Sequence, residues 1–306
     1  MLKKTIDIVR REGMTSLLRV MMTKVMGEKP LKEFNELATY FEDKHGLEIG
    51  GPSGIFSDKS LLPIYKIVGS YDNCNFSSET VWQGRESKYH ANKPACYQFI
   101  CEASDLERIG NESYDFVISS HVIEHIANPL KAILEWKRVL RVGGVILLIC
   151  PHMERTFDRR RPITPLAHLI EDYSKGVDDH DLTQLPEILK LHDLSLDPEA
   201  GSYEQFLARA KQNFDYRCLH HHVFITESWI NILDYLNLEI VCLKPMLPFH
   251  IIVIGKKVSE NVENSTSLHA SNTRLLESDM RWRRESPFHL DKARAGIDNQ
   301  CLERTG

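Results

Sequence analysis

The sequence predicts an α/β fold: a mostly parallel sheet with helices on both faces, closed by an antiparallel hairpin and interrupted by a helical insertion. Three observations predict it. From about residue 45, short apolar runs alternate with helically spaced segments, the pattern of a parallel sheet with crossover helices. A glycine cluster, 46-GLEIGGPSGIF-56, follows directly on the first of those runs. Two further apolar runs end the pattern near residue 257, after a stretch of different texture over residues 152–225.

The elements follow in order. Residues 2–27 have helical spacing with a break near Gly13, and they mix apolar side chains with Lys3, Lys4, Arg10, Arg11, Arg19 and Lys24. Two readings stand: a basic amphipathic helix in weak contact with an anionic membrane surface, or a helix packed over the domain that follows. Candidate strands are GLEIG (46–50), YKIVGSY (65–71), YQFICEA (97–103), DFVISS (115–120) and VILLICP (145–151). Between the last two, PLKAILEWKRVL (129–140) has helical spacing, and Gly143-Gly144 is read as its stop.

The insertion begins with the basic stretch RTFDRRRP, and Thr164-Pro165 reads as an N-cap followed by a first-turn proline. A segment this long at the carboxyl edge of a sheet serves as a lid or substrate-binding subdomain. TESWINILDYL (226–236) reads as a helix, and LEIVCLKP (238–245) and FHIIVIGKK (249–257) as strands split by a turn containing Pro245 and Pro248. The remaining tail is polar and aperiodic and is expected to be disordered in large part, with RWRRESPF (281–288) as a docking candidate. The predicted divisions are an N-terminal helical segment (1–43), a core (44–151), a lid (152–225), the end of the core (226–257) and the tail (258–306).

Composition narrows the function. The net charge of -5 argues against nucleic acid as a partner. Seven cysteines contain no C-x-x-C pair, which favours free thiols in a reducing cytoplasm over disulfides or thiolate zinc. No apolar run approaches the ~18 residues of a membrane span, and the early lysines are followed by no signal-peptide apolar region.

In an open parallel sheet, ligands bind beyond the carboxyl ends of the strands, at the topological switch point. Glycines there allow close backbone approach, and the helix expected next would offer its N–H groups. An ordinary turn is the plain alternative. The loop gains meaning beside 101-CEASDLERIGNESYDFVISSHVIEHIANPLKAILEWKRVLRVGGVILLICP-151. Together they resemble the class I S-adenosyl-L-methionine (SAM)-dependent methyltransferases of the type 11 branch, over residues 44–151 and more loosely to 257. The stretch TFDRRRPITPLAHLIEDY resembles a bacterial subset of that branch associated with cell-surface glycan loci.

The resemblance implies a Rossmann-like, seven-stranded, mostly parallel sheet, with SAM as cofactor. It implies that Glu48 serves the methionine amino end through the loop or water, and that Gly50, Gly51 and Gly54 let SAM approach the backbone. The ribose acid falls on Asp72, preferred for its charge, or on Asn75, whose NFSS context fits better. Glu102 and Ala103 would frame the adenine. Ser119, Ser120 and His121 would lie near the reacting methyl group.

Methyl transfer from a sulfonium needs alignment rather than a covalent protein nucleophile. A base matters only when the acceptor carries a proton, and histidine suits that role at neutral pH. His121 and His125 are the first candidates. Adjacent histidines point in different directions, so His220, His221 and His222 are not expected to share a metal, and the resemblance implies none. They would line an acceptor pocket or pack structurally. Arg155, Arg159, Arg160 and Arg161 bracket Asp158 and would hold an anionic acceptor or pair with Glu171 and Asp172. The expected acceptor-binding set is His152, Arg159, Arg161, His221 and His222.

The sequence thus predicts a SAM-dependent methyltransferase acting at oxygen on a small-molecule or glycan acceptor. One rival is an NAD(P)-dependent oxidoreductase, whose G-x-G-x-x-G spacing GGPSG lacks. The other is a catalytically inactive SAM-fold binding or scaffold protein, kept open by Asn75 and the tail.

Overall fold

The computed structural model of the chain describes residues 30–79, 95–259 and 286–293. The readings of residues 2–27 and of most of the tail lie outside the described residues. No helix among them is long and apolar enough to cross a membrane.

Seven strands form one sheet: β1 (His45–Ile49), β2 (Ser70–Asn75), β3 (Gln98–Ile100), β4 (Tyr114–Ser120), β5 (Leu140–Pro151), β6 (Leu238–Met246) and β7 (His250–Lys257). Their order is β3-β2-β1-β4-β5-β7-β6. β1 to β5 pair in parallel, and β7 runs antiparallel to both of its neighbours. The chain leaves β1 toward β2 and β3, then returns to β4 on the other side. The crevice beyond β1 and β4 is therefore the switch point where open sheets bind ligands. β1, β4 and β5 are buried almost throughout, as parallel strands covered on both faces must be.

Each face has its own apolar cover. α2 (Pro129–Val139) sends Leu130, Ile133 and Trp136 onto one face, where they join Trp229 and Leu233 of α7 (Ser228–Tyr235). On the other face, Phe34 and Leu37 of the short α1 (Phe34–Leu37) pack with Phe41, Phe56 and Tyr65. α2 starts sharply because Pro129 needs no N–H partner and the Asn128 side chain accepts the Lys131 N–H at 3.1 Å.

Several local expectations are corrected. The second strand is not YKIVGSY: Ile64–Lys66 form a 3-10 turn, and the strand begins at Ser70. Its polar letters disguised it, because Asp72 and Asn73 are buried with polar partners and not with apolar ones. No α-helix follows the glycine loop among the described residues, only a 3-10 turn at Gly54–Phe56. α2 ends at Val139, and Gly143-Gly144 lie inside β5. Thr164 does not cap a helix. Its hydroxyl oxygen accepts the Val223 N–H at 2.9 Å, and α3 (Leu166–Lys175) starts after Pro165.

The insertion is helical, as expected: α3, α4 (Leu185–Leu191), α5 (Tyr203–Lys211) and α6 (Asn213–Tyr216). It has a small core of its own, built on Ile188, Phe206, Ala210 and Leu219. Of the tail, residues 286–293 pack against the sheet and insertion. Phe288 is fully buried, with its ring stacked on His152 at 3.9 Å. Asp291 accepts hydroxyl hydrogen bonds from Thr226 and Ser286, each at 2.7 Å.

Candidate cofactor and acceptor cleft

The cleft opens at the β1/β4 switch point. Its floor is the glycine loop and the residues just past β2, β3 and β4, and Asp179 and Arg217 of the insertion complete its wall. It encloses about 1120 Å³ of empty space, part of it open solvent.

The glycine loop is tightly specified. Gly50 has φ +77°, and a Cβ there would lie 2.4 Å from Val122 Cγ2. Its N–H donates to the Cys74 carbonyl at 2.8 Å, tying the end of β1 to the end of β2. A Cβ on Gly51 would lie 2.0 Å from Glu48 Cδ. Glu48 is buried beneath the loop, where it accepts the Ser53 N–H at 3.0 Å and the Tyr65 hydroxyl at 2.7 Å. Burial first, and then the Glu48 charge, hold the Tyr65 phenol far above its usual range, so it stays protonated as a donor. Glu48 thus shapes the loop from below, while Gly50 and Gly54 line the cleft.

β2 separates its two ribose candidates. Asp72 pairs with Leu47 in mid-strand and accepts the Tyr114 hydroxyl at 2.7 Å, with His45 Nε2 3.5 Å away. It does not line the cleft. Asn75, the last residue of β2, does line it, and its Nδ2 donates to the Gly51 carbonyl at 2.9 Å. Glu102 and Ala103 line the cleft beyond β3. The Ala103 carbonyl accepts the Trp136 indole N–H at 2.8 Å. Ser120 is on the lining, whereas Ser119 lies buried below it, its hydroxyl donating to the Ile49 carbonyl at 3.2 Å.

Both leading histidines line the cleft. His121, at φ +55°, has Nε2 3.1 Å from His250 Nδ1 and Nδ1 3.4 Å from Glu124 Oε1. His125 Nδ1 lies 3.0 Å from the Leu219 carbonyl oxygen. Burial, then the nearby charge of His220, pushes His125 down to about 4, so it is neutral at pH 7. His125 also borders a second cavity inside the insertion, lined by Phe157, Arg209, Cys218 and His220 among others. It therefore stands where the two spaces meet.

None of the five residues expected to bind the acceptor lines the cleft. His152 is sealed beneath Phe288, with Nε2 3.3 Å from Asp291. Arg159 pairs with Asp193 at 2.6 Å on the surface. Arg161 is buried and donates to Asp158 at 2.9 Å, to Glu187 at 3.0 Å and to the carbonyls of His220 and His221 at 2.7 and 3.2 Å. The two ends of the insertion do meet, but as a buried lock. Glu171 pairs with Lys175 instead of an arginine. His221 Nε2 lies 3.0 Å from Asn213 Nδ2, and His222 Nε2 lies 3.0 Å from the Ala127 carbonyl oxygen. Burial is the first cause that pushes these two histidines down, to about 4 and about 3.

The structure also places residues that the sequence did not single out. Arg217 reaches Glu102 with both Nη atoms, at 2.7 and 3.1 Å, and Asp179 at 2.5 Å. Its guanidinium lies 5.1 Å from the Phe76 ring centre and 4.8 Å from that of Phe214. This clamp joins the insertion to the end of β3 across the cleft. Arg217 stands immediately before the CLHHH stretch, which draws attention to the histidines. No sequence signal links it to two carboxylates on distant segments.

Residues 47–148 match the family described as "Methyltransferase domain". A ubiquinone biosynthesis O-methyltransferase of Parvibaculum lavamentivorans is 23% identical over 109 residues, 35% of this chain. The chain spans only 40% of the length of that curated relative. A SAM-dependent methyltransferase structure from Methanosarcina mazei is 17% identical, covers 74% of this chain and 98% of its own, and aligns with a TM-score of 0.41. One from Aquifex aeolicus is 13% identical over 74% of this chain and 90% of its own, with a TM-score of 0.39. The match to the methyltransferase domain thus falls on residues 47–148, which carry most of the first strand, the glycine loop and the floor of the cleft.

Proposed function

We propose that the protein moves a methyl group from SAM to an oxygen of a neutral, hydroxylated small molecule or glycan. The observation that carries the reading is the His121–Glu124 pair at the cleft, with His121 on its lining and a buried carboxylate 3.4 Å behind it. A base backed by a carboxylate suits an acceptor that must lose a proton. The arginines expected to hold an anion are engaged by Asp158, Glu187 and Asp193, which is why a neutral acceptor is favoured. The name of the Parvibaculum relative, an O-methyltransferase, supports oxygen as the accepting atom.

The loop fits the cofactor, because the glycines Gly50 and Gly54 bring backbone to the lining of the cleft. When bound, SAM supplies an electrophilic methyl group on a sulfonium. The Gly50 and Gly54 backbone would lie along it, Asn75 would hold the ribose hydroxyls in place of the usual acid, and Glu102 and Ala103 would flank the base. The Arg217 clamp restricts water at that end. His121 accepts the proton of the acceptor hydroxyl, and Glu124 stabilises the resulting imidazolium.

Calorimetric titration with SAM, S-adenosylhomocysteine and NAD tests the cofactor, and transfer of labelled methyl from SAM to a panel of alcohols and glycosides tests the reaction. SAM and S-adenosylhomocysteine should bind and NAD should not, with label recovered as an alkali-stable ether. NAD binding with silent SAM would overturn the reading. Asn75 at the ribose position favours a second reading, a SAM-binding protein without turnover, and SAM binding with no labelled product across the panel would select it.

A further inference from the structure

We propose that Glu124, His125 and His220 form a divalent metal site where the cofactor cleft meets the inner cavity of the insertion, with positions open to the acceptor oxygen. The role given to the metal rests on the methyl-transfer reading. The site itself does not. It differs from the arrangement considered in the sequence, since His221 and His222 face elsewhere and the ligands come from two distant segments.

Three independent features point to a cation. First, one ligand atom from each residue lies within 4.8 Å of the others. Atoms bound at 2.0–2.2 Å to one ion sit about 3–4 Å apart, so closure needs a shift of roughly 1 Å. Second, Glu124 is only 1% exposed, and among the described residues neither of its carboxylate oxygens has a hydrogen-bond partner within normal geometry. Its nearest polar neighbours are His121 Nδ1 at 3.4 Å and His220 Nε2 at 4.0 Å. A carboxylate so enclosed needs a positive partner.

Third, both histidines are oriented as ligands. His125 Nδ1 faces the Leu219 carbonyl at 3.0 Å, and a carbonyl only accepts, so that nitrogen carries the hydrogen and Nε2 keeps its lone pair. His220 Nδ1 faces Asp158 Oδ2 at 2.5 Å, and Arg161 holds the other oxygen of that carboxylate at 2.9 Å. Its Nε2 points toward Glu124. A ring N–H given to a carbonyl or carboxylate is the usual support behind a metal-bound imidazole.

Two imidazoles and one carboxylate select a first-row transition cation such as Zn²⁺, Mn²⁺ or Co²⁺ over Ca²⁺ or Mg²⁺. Three protein ligands leave open positions. His125 borders both spaces and His220 the inner one, so an acceptor hydroxyl can reach the ion. Its proton would then leave more easily to His121. The oxygen lone pair forms the new C–O bond as the C–S bond of the sulfonium breaks, and S-adenosylhomocysteine departs neutral at sulfur.

The test uses the full chain, stripped with EDTA and titrated with ZnCl₂, MnCl₂ and MgCl₂ by calorimetry without SAM. One Zn²⁺ or Mn²⁺ should bind per chain, at least tenfold more tightly than Mg²⁺. Glu124→Gln and His220→Asn should each weaken that binding at least 100-fold with melting curves still cooperative, whereas His168→Ala should leave it unchanged. Co²⁺ should show ligand-field bands without the thiolate charge-transfer band that Cys218 would produce. Wild-type protein that takes up no stoichiometric metal, binding that survives both substitutions, or binding that His168→Ala removes would overturn the site. Its role is read separately: chelation should lower methyl transfer at least tenfold with SAM affinity unchanged. Full turnover in chelator would overturn the acceptor role, and stoichiometric metal without any methylated product would reject the methyl-transfer reading while leaving the site standing.

Discussion

Asp72 and Asn75 lie three residues apart on β2, and that spacing separates a structural carboxylate from a cleft-lining amide. Asp72 accepts the Tyr114 hydroxyl inside the sheet. Burial, then this hydrogen bond, holds the Tyr114 phenol above its usual range. Asp72→Ala should therefore cost about 1–3 kcal/mol of stability, the scale of a buried hydroxyl left unpaired, with SAM affinity within twofold of wild type. Asn75→Ala should weaken SAM about tenfold, corresponding to one hydrogen bond of ~1.4 kcal/mol, and change stability less. Melting curves and calorimetric titration on the two variants settle the order, and the reverse ranking would return the ribose to Asp72. The sequence showed both residues but not their heights. The strand's start was hidden by the burial of polar side chains on polar partners.

At the scale of elements, the insertion and tail are held by a few specific contacts. Arg161 ties the first stretch of the insertion to its last through two carbonyls. Phe288 seals His152 and brings Asp291 to Thr226. Phe288→Ala should lower stability by about 3 kcal/mol, the cost of truncating a fully buried aromatic. It should also open His152 to diethyl pyrocarbonate while leaving SAM affinity unchanged, because His152 is not on the cleft. Thermal melts and mass mapping of the modified histidine test this. An unaltered melting temperature together with an unreactive His152 would mean that the tail contact contributes nothing.

Over the whole molecule, burial of histidines sets the response to acid. Burial is the first cause holding His125 and His221 at about 4 and His222 and His250 at about 3. An unfolded histidine titrates near ~6.5, so below that pH the unfolded chain binds protons that the native one refuses. These four contribute their full stability above ~6.5 and lose it as pH falls toward 4, by about 1.4 kcal/mol per pH unit each. His220 has the opposite sign. Burial opposes its charge, but Asp158 raises its pKa, so its contribution is full below ~6.5 and fades as pH rises through its folded value. Four groups outweigh one, and the melting temperature should drop steeply from pH 7 to pH 5. A flat or rising profile in scanning calorimetry would contradict this burial of neutral imidazoles.

The sequence by itself determined what depends on neighbours along the chain. Alternating apolar runs specified the parallel sheet, the PLKAILEWKRVL spacing specified a helix, and the glycines after the first strand fall at the switch-point edge of the sheet. The closing hairpin was legible for the same reason, since it is a local change of period and composition. Tertiary structure alone decided which polar groups meet. It set Asp72 below the cleft and Asn75 on it, turned Arg161 into a lock, and brought Arg217 to Glu102. It also brought His220 beside Glu124 and His125, and turned His221 and His222 away from them. Such contacts join segments far apart in sequence, and they depend on strand register and on the path of the insertion. No local periodicity encodes that path, because the energy selecting it comes from burying and pairing whole surfaces at once.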